Sequence, residues 1–222
     1  MWVSNADRDG KESRLARSTD HARTWTWSEW RFPEFGYISL VNYGRDYEGA
    51  RDNFVYAVAA DHPSAYIAVD RFILMRAPKE RLRERAAYDF FVRRQDNSQP
   101  AWTREISERG VVFSHPGACL RQQMTYCTPL RRYLWWQHLP NTKNREDVGD
   151  TRFEGGFGVY DAPEPWGPWT TAYFTQMWDA SPGETASFPT KWMSADGKKL
   201  WLVFSGDDCF SVREARVKVN EK

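Results

Sequence analysis

The sequence predicts an all-β chain made of four-stranded antiparallel blades, the repeating module of a β-propeller, with one short helical insertion. Three observations lead there. A strand-turn-strand unit recurs with different loops, as "LARSTDHARTWTW" from Leu15, "LMRAPKERL…PAWTRE" from Leu74 and "GVYDAPEPWGPWTTAYF" from Gly158, and each second strand opens with Trp-Thr. An alternating run precedes a strongly apolar one twice, "ISLVNYG" before "NFVYAVAA" and "LRQQMTY" before "RYLWWQHL". Finally, 12 Trp, 12 Pro and 14 Gly in 222 residues suit many short strands joined by turns, and 41% apolar content is enough to bury a large core.

Laid along the chain from the innermost strand A to the outermost D, the repeat gives four blades. The first is partial: "MWVSN" ends a strand B, residues 14–18 form C and 24–32 form D. The second takes A at 37–42, B at 53–60, C at 71–76 and D at 102–105. Its C-to-D connection holds the helix, over 78–91, with Pro78 at its start and Leu82, Ala86 and Phe90 at helical spacing. The third takes A at 118–126, B at 133–138, C at 157–161 and D at 169–174; in it Trp135 and Trp136 alternate to opposite faces as core. The fourth takes A at 188–193, B at 200–205 and C at 210–219. Residues 1–222 are thus expected to be one propeller domain whose first blade lacks A and whose last lacks D, so that N-terminal blades are missing, since natural sheets avoid bare edges.

The turn "STDHARTW" fits the Asp-box pattern S-x-D-x-G-x-T-W of sialidase-like propellers, with Ala22 at the glycine position. Ser18 and Asp20 are expected to hydrogen-bond turn amides, and Trp25 to wedge between blades, away from the ligand face. "SADGKKLW" from Ser194 is a weaker echo on an Asp-Gly turn.

Charge narrows the partner. With 31 basic and 30 acidic side chains, net +1, no field favours nucleic acid or a membrane surface. Cys119, Cys127 and Cys209 have neither metal-ligand spacing nor an even count, so no metal site is read and at least one thiol stays free. No cofactor is expected, with a structural Ca²⁺ left open. No apolar run reaches the ~18 residues of a membrane helix, and "MWVSNADRDG" is too polar for a signal peptide.

In a propeller the B-to-C and D-to-A connections surround the ligand funnel, and loops on a rigid scaffold carry chemistry. Those connections supply Asp70, Glu154, Asp207, Asp208 and Glu184 as carboxylates, with Arg121, Gln122, Arg152, His115, Tyr37 and Tyr66 beside them. Carboxylates for acid, base or nucleophile, cations and amides for hydroxyls, and flat rings for C–H faces make up a sugar site. Glu154, Asp208 and Asp70 are the expected catalytic set; Arg121, Gln122, His115, Arg152, Glu184, Asp207, Tyr37 and Tyr66 are the expected binding set. Bracing roles compete with these: Arg152 can pair with Glu154, Asp70 with Arg71 or Arg121, and adjacent aspartates after Ser-Gly make an ordinary turn.

The stretches "GARDNFVYAV", "RAPKERLRERAAYDFF", "TRFEGGFGVYDAPEPWGPWTTAYF" and "FPTKWMSADGKKLWLVFSGDD" resemble a family of mostly secreted bacterial five-bladed propellers, long described as a domain of unknown function, some of whose members are endo-D-arabinofuranosidases. The resemblance covers nearly the whole chain and is most specific at "YDAPEPWGPWT". It implies glycosidic-bond hydrolysis on a polysaccharide or oligosaccharide, and a secreted or periplasmic full-length protein. It also implies a catalytic Asp on an innermost strand that this chain does not show. Two other classes stay in view: a polysaccharide lyase using His115, Tyr126 and Arg121, and a sugar-binding propeller without turnover.

Overall fold

The computed structural model describes residues 1–4, 11–140, 155–179 and 183–219. The chain is all-β: the described residues form sixteen strands, all but one isolated bridge pairing antiparallel, and their helical pieces are five 3-10 turns of three residues each. It divides into two compact units, Met1–Leu40 with Asn53–Leu120, and Val41–Asp52 with Arg121–Lys222.

In the first unit β1 (Trp2–Ser4), β2 (Ser13–Arg17) and β3 (Thr26–Phe32) form one meander. A second sheet runs β4 (Ile38–Leu40), β5 (Phe54–Ala60), β6 (Val69–Pro78), β7 (Asp89–Arg94) and β8 (Pro100–Thr103), and β9 (Phe113–Cys119) pairs with the first residues of β6. β5 is a continuous apolar run because it is central: β4 and β6 cover its edges, and it is buried on both faces. Trp2, Phe32, Phe35, Tyr88 and Phe90 join Ile73 and Met75 in the core, with Trp2, Phe32 and Tyr88 ring centroids 5.4–6.0 Å apart. Edge-to-face pairs of this kind add to the gain from area burial alone.

The helix expected over 78–91 is corrected to two 3-10 turns, Lys79–Arg81 and Arg85–Ala87, between strands. Pro78 is the last residue of β6, Ala86 is exposed, and Phe90 pairs with Met75 in the β6–β7 ladder. The i, i+4 spacing of Leu82, Ala86 and Phe90 therefore marks no common face; "DFFVRR" is β-branched and aromatic enough to extend instead. For the same reason β7, rather than the Trp102 strand, lies next to β6, and Trp102 sits on β8 with its ring 5.9 Å from Phe91. Trp25 is 39% exposed and makes no ring contact among the described residues, so it is not the buried wedge the turn pattern suggests.

The second unit contains the four-stranded meander expected of a complete blade: β10 (Gln122–Cys127), β11 (Arg132–Leu139), β12 (Gly156–Ala162) and β13 (Thr170–Thr175). Its second sheet is β14 (Gly183–Ser187), β15 (Lys199–Gly206) and β16 (Cys209–Arg216). The innermost strand expected at 188–193 is corrected to β14; Pro189 has no N–H for a ladder, and Thr190–Trp192 is a 3-10 turn. Trp136, fully buried, packs with Trp178, which stacks on Phe204 at 5.0 Å and lies 4.4 Å from Phe157. Trp135 faces the other way and meets Trp169 edge-on at 5.0 Å.

Candidate functional site

Every residue of β11 after Arg132 is buried, so any polar side chain there is deprived of water. Alternation puts Tyr133, Trp135 and Gln137 on one face and Leu134, Trp136 and His138 on the other. At the end of the strand, Gln122 of β10 lies opposite Gln137, and the His138 amide donates to the Arg121 carbonyl at 3.0 Å. Two amides therefore share one face, and a guanidinium and an imidazole the other. All four are buried: Arg121 8%, Gln122 1%, Gln137 0% and His138 0% exposed.

Burial, reinforced by the Arg121 charge, drives the His138 imidazole down to about 4, so the ring is neutral at pH 7. The Gly183 backbone favours protonation slightly, yet neither ring nitrogen has a hydrogen bond of ordinary geometry among the described residues. Leaving such a group unpaired costs about 1–3 kcal/mol. A neutral imidazole is one donor and one acceptor, the pair a sugar hydroxyl complements.

Neighbouring strands end here as well. Leu139 pairs with Gly156 at the start of β12, and Gly183 opens β14 opposite Gly206, which closes β15. A side chain on Gly156 would place its Cβ 1.9 Å from the Thr175 carbonyl oxygen, so this close approach requires glycine. Beyond Gly206, Asp207 and Asp208 have φ of 47° and 60° and form the two-residue turn into β16. Such a turn accepts Asp at both positions. The second unit thus gathers Arg121, Gln122, Glu184, Asp207 and Asp208 at one end of its two sheets: the first two are buried, Glu184 is half-buried, and the aspartates are exposed. Glu154 and Arg152 lie outside the described residues. Sequence reasoning missed Gln137 and His138; the available signal was two polar residues closing an otherwise apolar strand.

The opposite end of the same sheet is tied down by ion pairs and hydrogen bonds. Arg132 holds Asp161 at 2.5 Å, Thr170 donates to the same carboxylate, Arg51 reaches Glu164 at 2.8 Å, and the Tyr43 and Tyr133 hydroxyls meet at 3.1 Å. "YDAPEPWGPWT", the most conspicuous motif of the chain, is scaffold at this end.

The remaining nominated residues belong to the first unit. Asp70 accepts from the Gly117 amide at 2.8 Å, and its carbonyl accepts from the Ser114 hydroxyl at 3.1 Å. His115, half-buried on β9, is lowered by burial, and its carbonyl accepts from the Cys119 thiol at 3.4 Å. Burial pushes that thiol up to about 12, which removes it as a nucleophile. Tyr37 is half-buried, and Tyr66 is 52% exposed with its amide donating to Ser64 Oγ at 3.2 Å. Also in this unit, the Asp61 side chain is only 2% exposed and is held by Arg71 at 2.5 Å and Arg109 at 2.7 Å. No group of three or more His, Cys, Asp or Glu is placed to hold a metal ion among the described residues. No helix among them is long and apolar enough to cross a membrane.

No family model matches the chain, and no curated protein does. Among solved structures, it is similar to an exo-β-1,3-galactanase from Phanerochaete chrysosporium with galactose (10% identity, TM-score 0.45, 80% of this chain and 34% of that one). It is also similar to an exo-β-1,3-galactanase from Clostridium thermocellum (12%, 0.43, 80% and 38%). A third is the Trypanosoma rangeli sialidase in complex with the inhibitor DANA (10%, 0.47, 97% and 32%). The chain spans about a third of the length of these proteins, and similarity of this order transfers neither activity nor substrate.

Proposed function

We propose that this is a carbohydrate-active protein of the propeller glycoside-hydrolase kind, arabinofuranosidase-like and acting outside the cell, whose sugar site is the polar end of the β10–β11 pair. The observation that carries the proposal is His138: a buried, neutral imidazole with no hydrogen-bond partner of ordinary geometry among the described residues, beside a buried guanidinium and two buried amides. Buried polar groups are almost always satisfied, and an exception in this company calls for a ligand rich in hydroxyls. Arg121 and Gln122 would bind sugar oxygens, Glu184 borders them, and Glu154, nominated by the sequence, would be the general acid. Release of new reducing ends from arabinan and galactan, scored in the wild type and in Glu154→Gln and Glu184→Gln, tests this. Loss of about 100-fold or more in the rate for Glu154→Gln is expected; an unchanged rate sinks the assignment.

A second reading, sugar binding without turnover, is favoured by one observation. Of the nominated carboxylates among the described residues, Asp70 is occupied by a backbone amide and Asp207 and Asp208 form an exposed turn. Oligosaccharide binding that leaves the sugar intact and is indifferent to Glu154→Gln selects this reading.

A further inference from the structure

Trp25 stands apart from the other tryptophans of the first unit. Trp2, Trp30 and Trp102 each meet another ring, and Trp27 lies under the Arg14 guanidinium at 5.7 Å. Trp25 alone has neither kind of contact among the described residues, and it is 39% exposed. It lines an open cavity of about 810 Å³, between the turn joining β2 to β3 and the turns after β6. That volume is within the range of small-molecule sites.

The turn that presents Trp25 is held from within. Ser18 donates to Asp20 at 2.8 Å and accepts from the Ala22 amide at 2.8 Å; Asp20 accepts the Arg23 and Thr24 amides at 3.1 and 2.9 Å and the Thr24 hydroxyl at 2.7 Å. His21 and Ala22 adopt φ of 58° and 68°. These bonds fix the backbone that leads through Trp25 into β3. The lining is cationic: Arg17 at the end of β2, and Lys79 and Arg83 across from it, stand against a single carboxylate, Glu80. Arg17 and Arg83 are exposed, and their guanidiniums have no ion-pair partner among the described residues.

We propose that this cavity binds an acidic saccharide, with one sugar ring laid on the free face of Trp25 and its carboxylate held by Arg17 and Arg83. An indole covers the C–H face of a pyranose, and a guanidinium fork matches a carboxylate. Three cations against one acid exclude a second cation as ligand, and one lone indole is too small a platform for a nucleic-acid strand. The site is separate in its residues from the β10–β11 end and does not rest on the function proposed there.

Calorimetric titration of the whole chain with trigalacturonate, its methyl ester and neutral galactotriose tests the site. The wild type is expected to bind trigalacturonate at low salt at least about tenfold more tightly than either neutral probe. Trp25→Ala and the Arg17→Gln/Arg83→Gln double variant, all at exposed positions, are each expected to weaken it by about tenfold. Equal affinity for the neutral probes, absence of trigalacturonate binding, or indifference to Trp25→Ala each overturns the proposal.

Discussion

Two buried polar clusters, one in each unit, differ in how far their hydrogen bonds are satisfied. Around Asp61 the carboxylate is closed: Arg71 donates through Nε at 2.6 Å, Arg109 through Nε at 2.8 Å, and Arg109 also lies 5.4 Å from the centre of the Phe35 ring. Around His138 the strands bring a guanidinium, two amides and an imidazole out of water, and the imidazole is left without an ordinary hydrogen bond among the described residues. Burial alone therefore does not mark function. The sugar site proposed above rests on burial with hydrogen-bonding capacity left over.

The largest effect should come from the closed cluster. Asp61→Ala strands Arg109, whose side chain is 20% exposed, and is expected to lower unfolding free energy by about 3 kcal/mol in a urea titration; a change below about 1 kcal/mol would make Asp61 an ordinary surface acid. Next comes pH. Burial holds the folded His138 imidazole down at about 4 against its ordinary 6.5, so between those pH values the unfolded chain binds more protons than the folded one. Stability is then expected to fall as pH drops through that window, by roughly 3 kcal/mol in all, and this loss should be absent from His138→Leu. At neutral pH the open cluster should behave opposite to the closed one. His138→Leu replaces an unsatisfied polar ring with an apolar side chain and should change stability by less than about 1 kcal/mol in either direction, while sugar binding disappears. Smallest is Asp20→Ala: Asp20, held down to about 2 chiefly by the Thr24 amide and hydroxyl, is half-buried in a surface turn, so faster amide exchange at Arg23 and Thr24 is expected with the fold intact.

Much of this architecture was legible in the residues. Alternation and apolar runs located β5, β10, β11, β12 and β15 because central strands bury both faces and edge-facing runs bury one. The Ser18–Asp20 turn was legible because a short acceptor side chain at that spacing reaches the amides ahead of it, and Ser194–Asp196 repeats the device, with Ser194 donating to Asp196 at 2.6 Å and Asp196 accepting the Lys198 amide at 3.0 Å. The segment 78–91 was misread because three apolar residues at helical spacing also fit a turn followed by a strand, and only the Met75–Phe90 pairing decides between them. Of the proposed site, Arg121 and Gln122 were nominated from their position near the entry of an innermost strand, and the structure buries them beside Gln137 and His138. His138 was not, because a histidine in an apolar strand gives no sign of whether it is satisfied. Trp25 was expected between blades from the Asp-box pattern, and its 39% exposure departs from that expectation.

The most direct measurement follows the imidazole nitrogens of His138 and the side-chain amides of Gln122 and Gln137 by ¹⁵N NMR while arabinan-derived and galactan-derived oligosaccharides are added. The sugar site proposed here predicts that these resonances shift together with at least one of the two, while the amides of Arg132 and Asp161 at the far end of the sheet stay in place. Saturating binding that moves Arg132 and Asp161 but leaves His138 untouched, or no binding of either sugar, would contradict it.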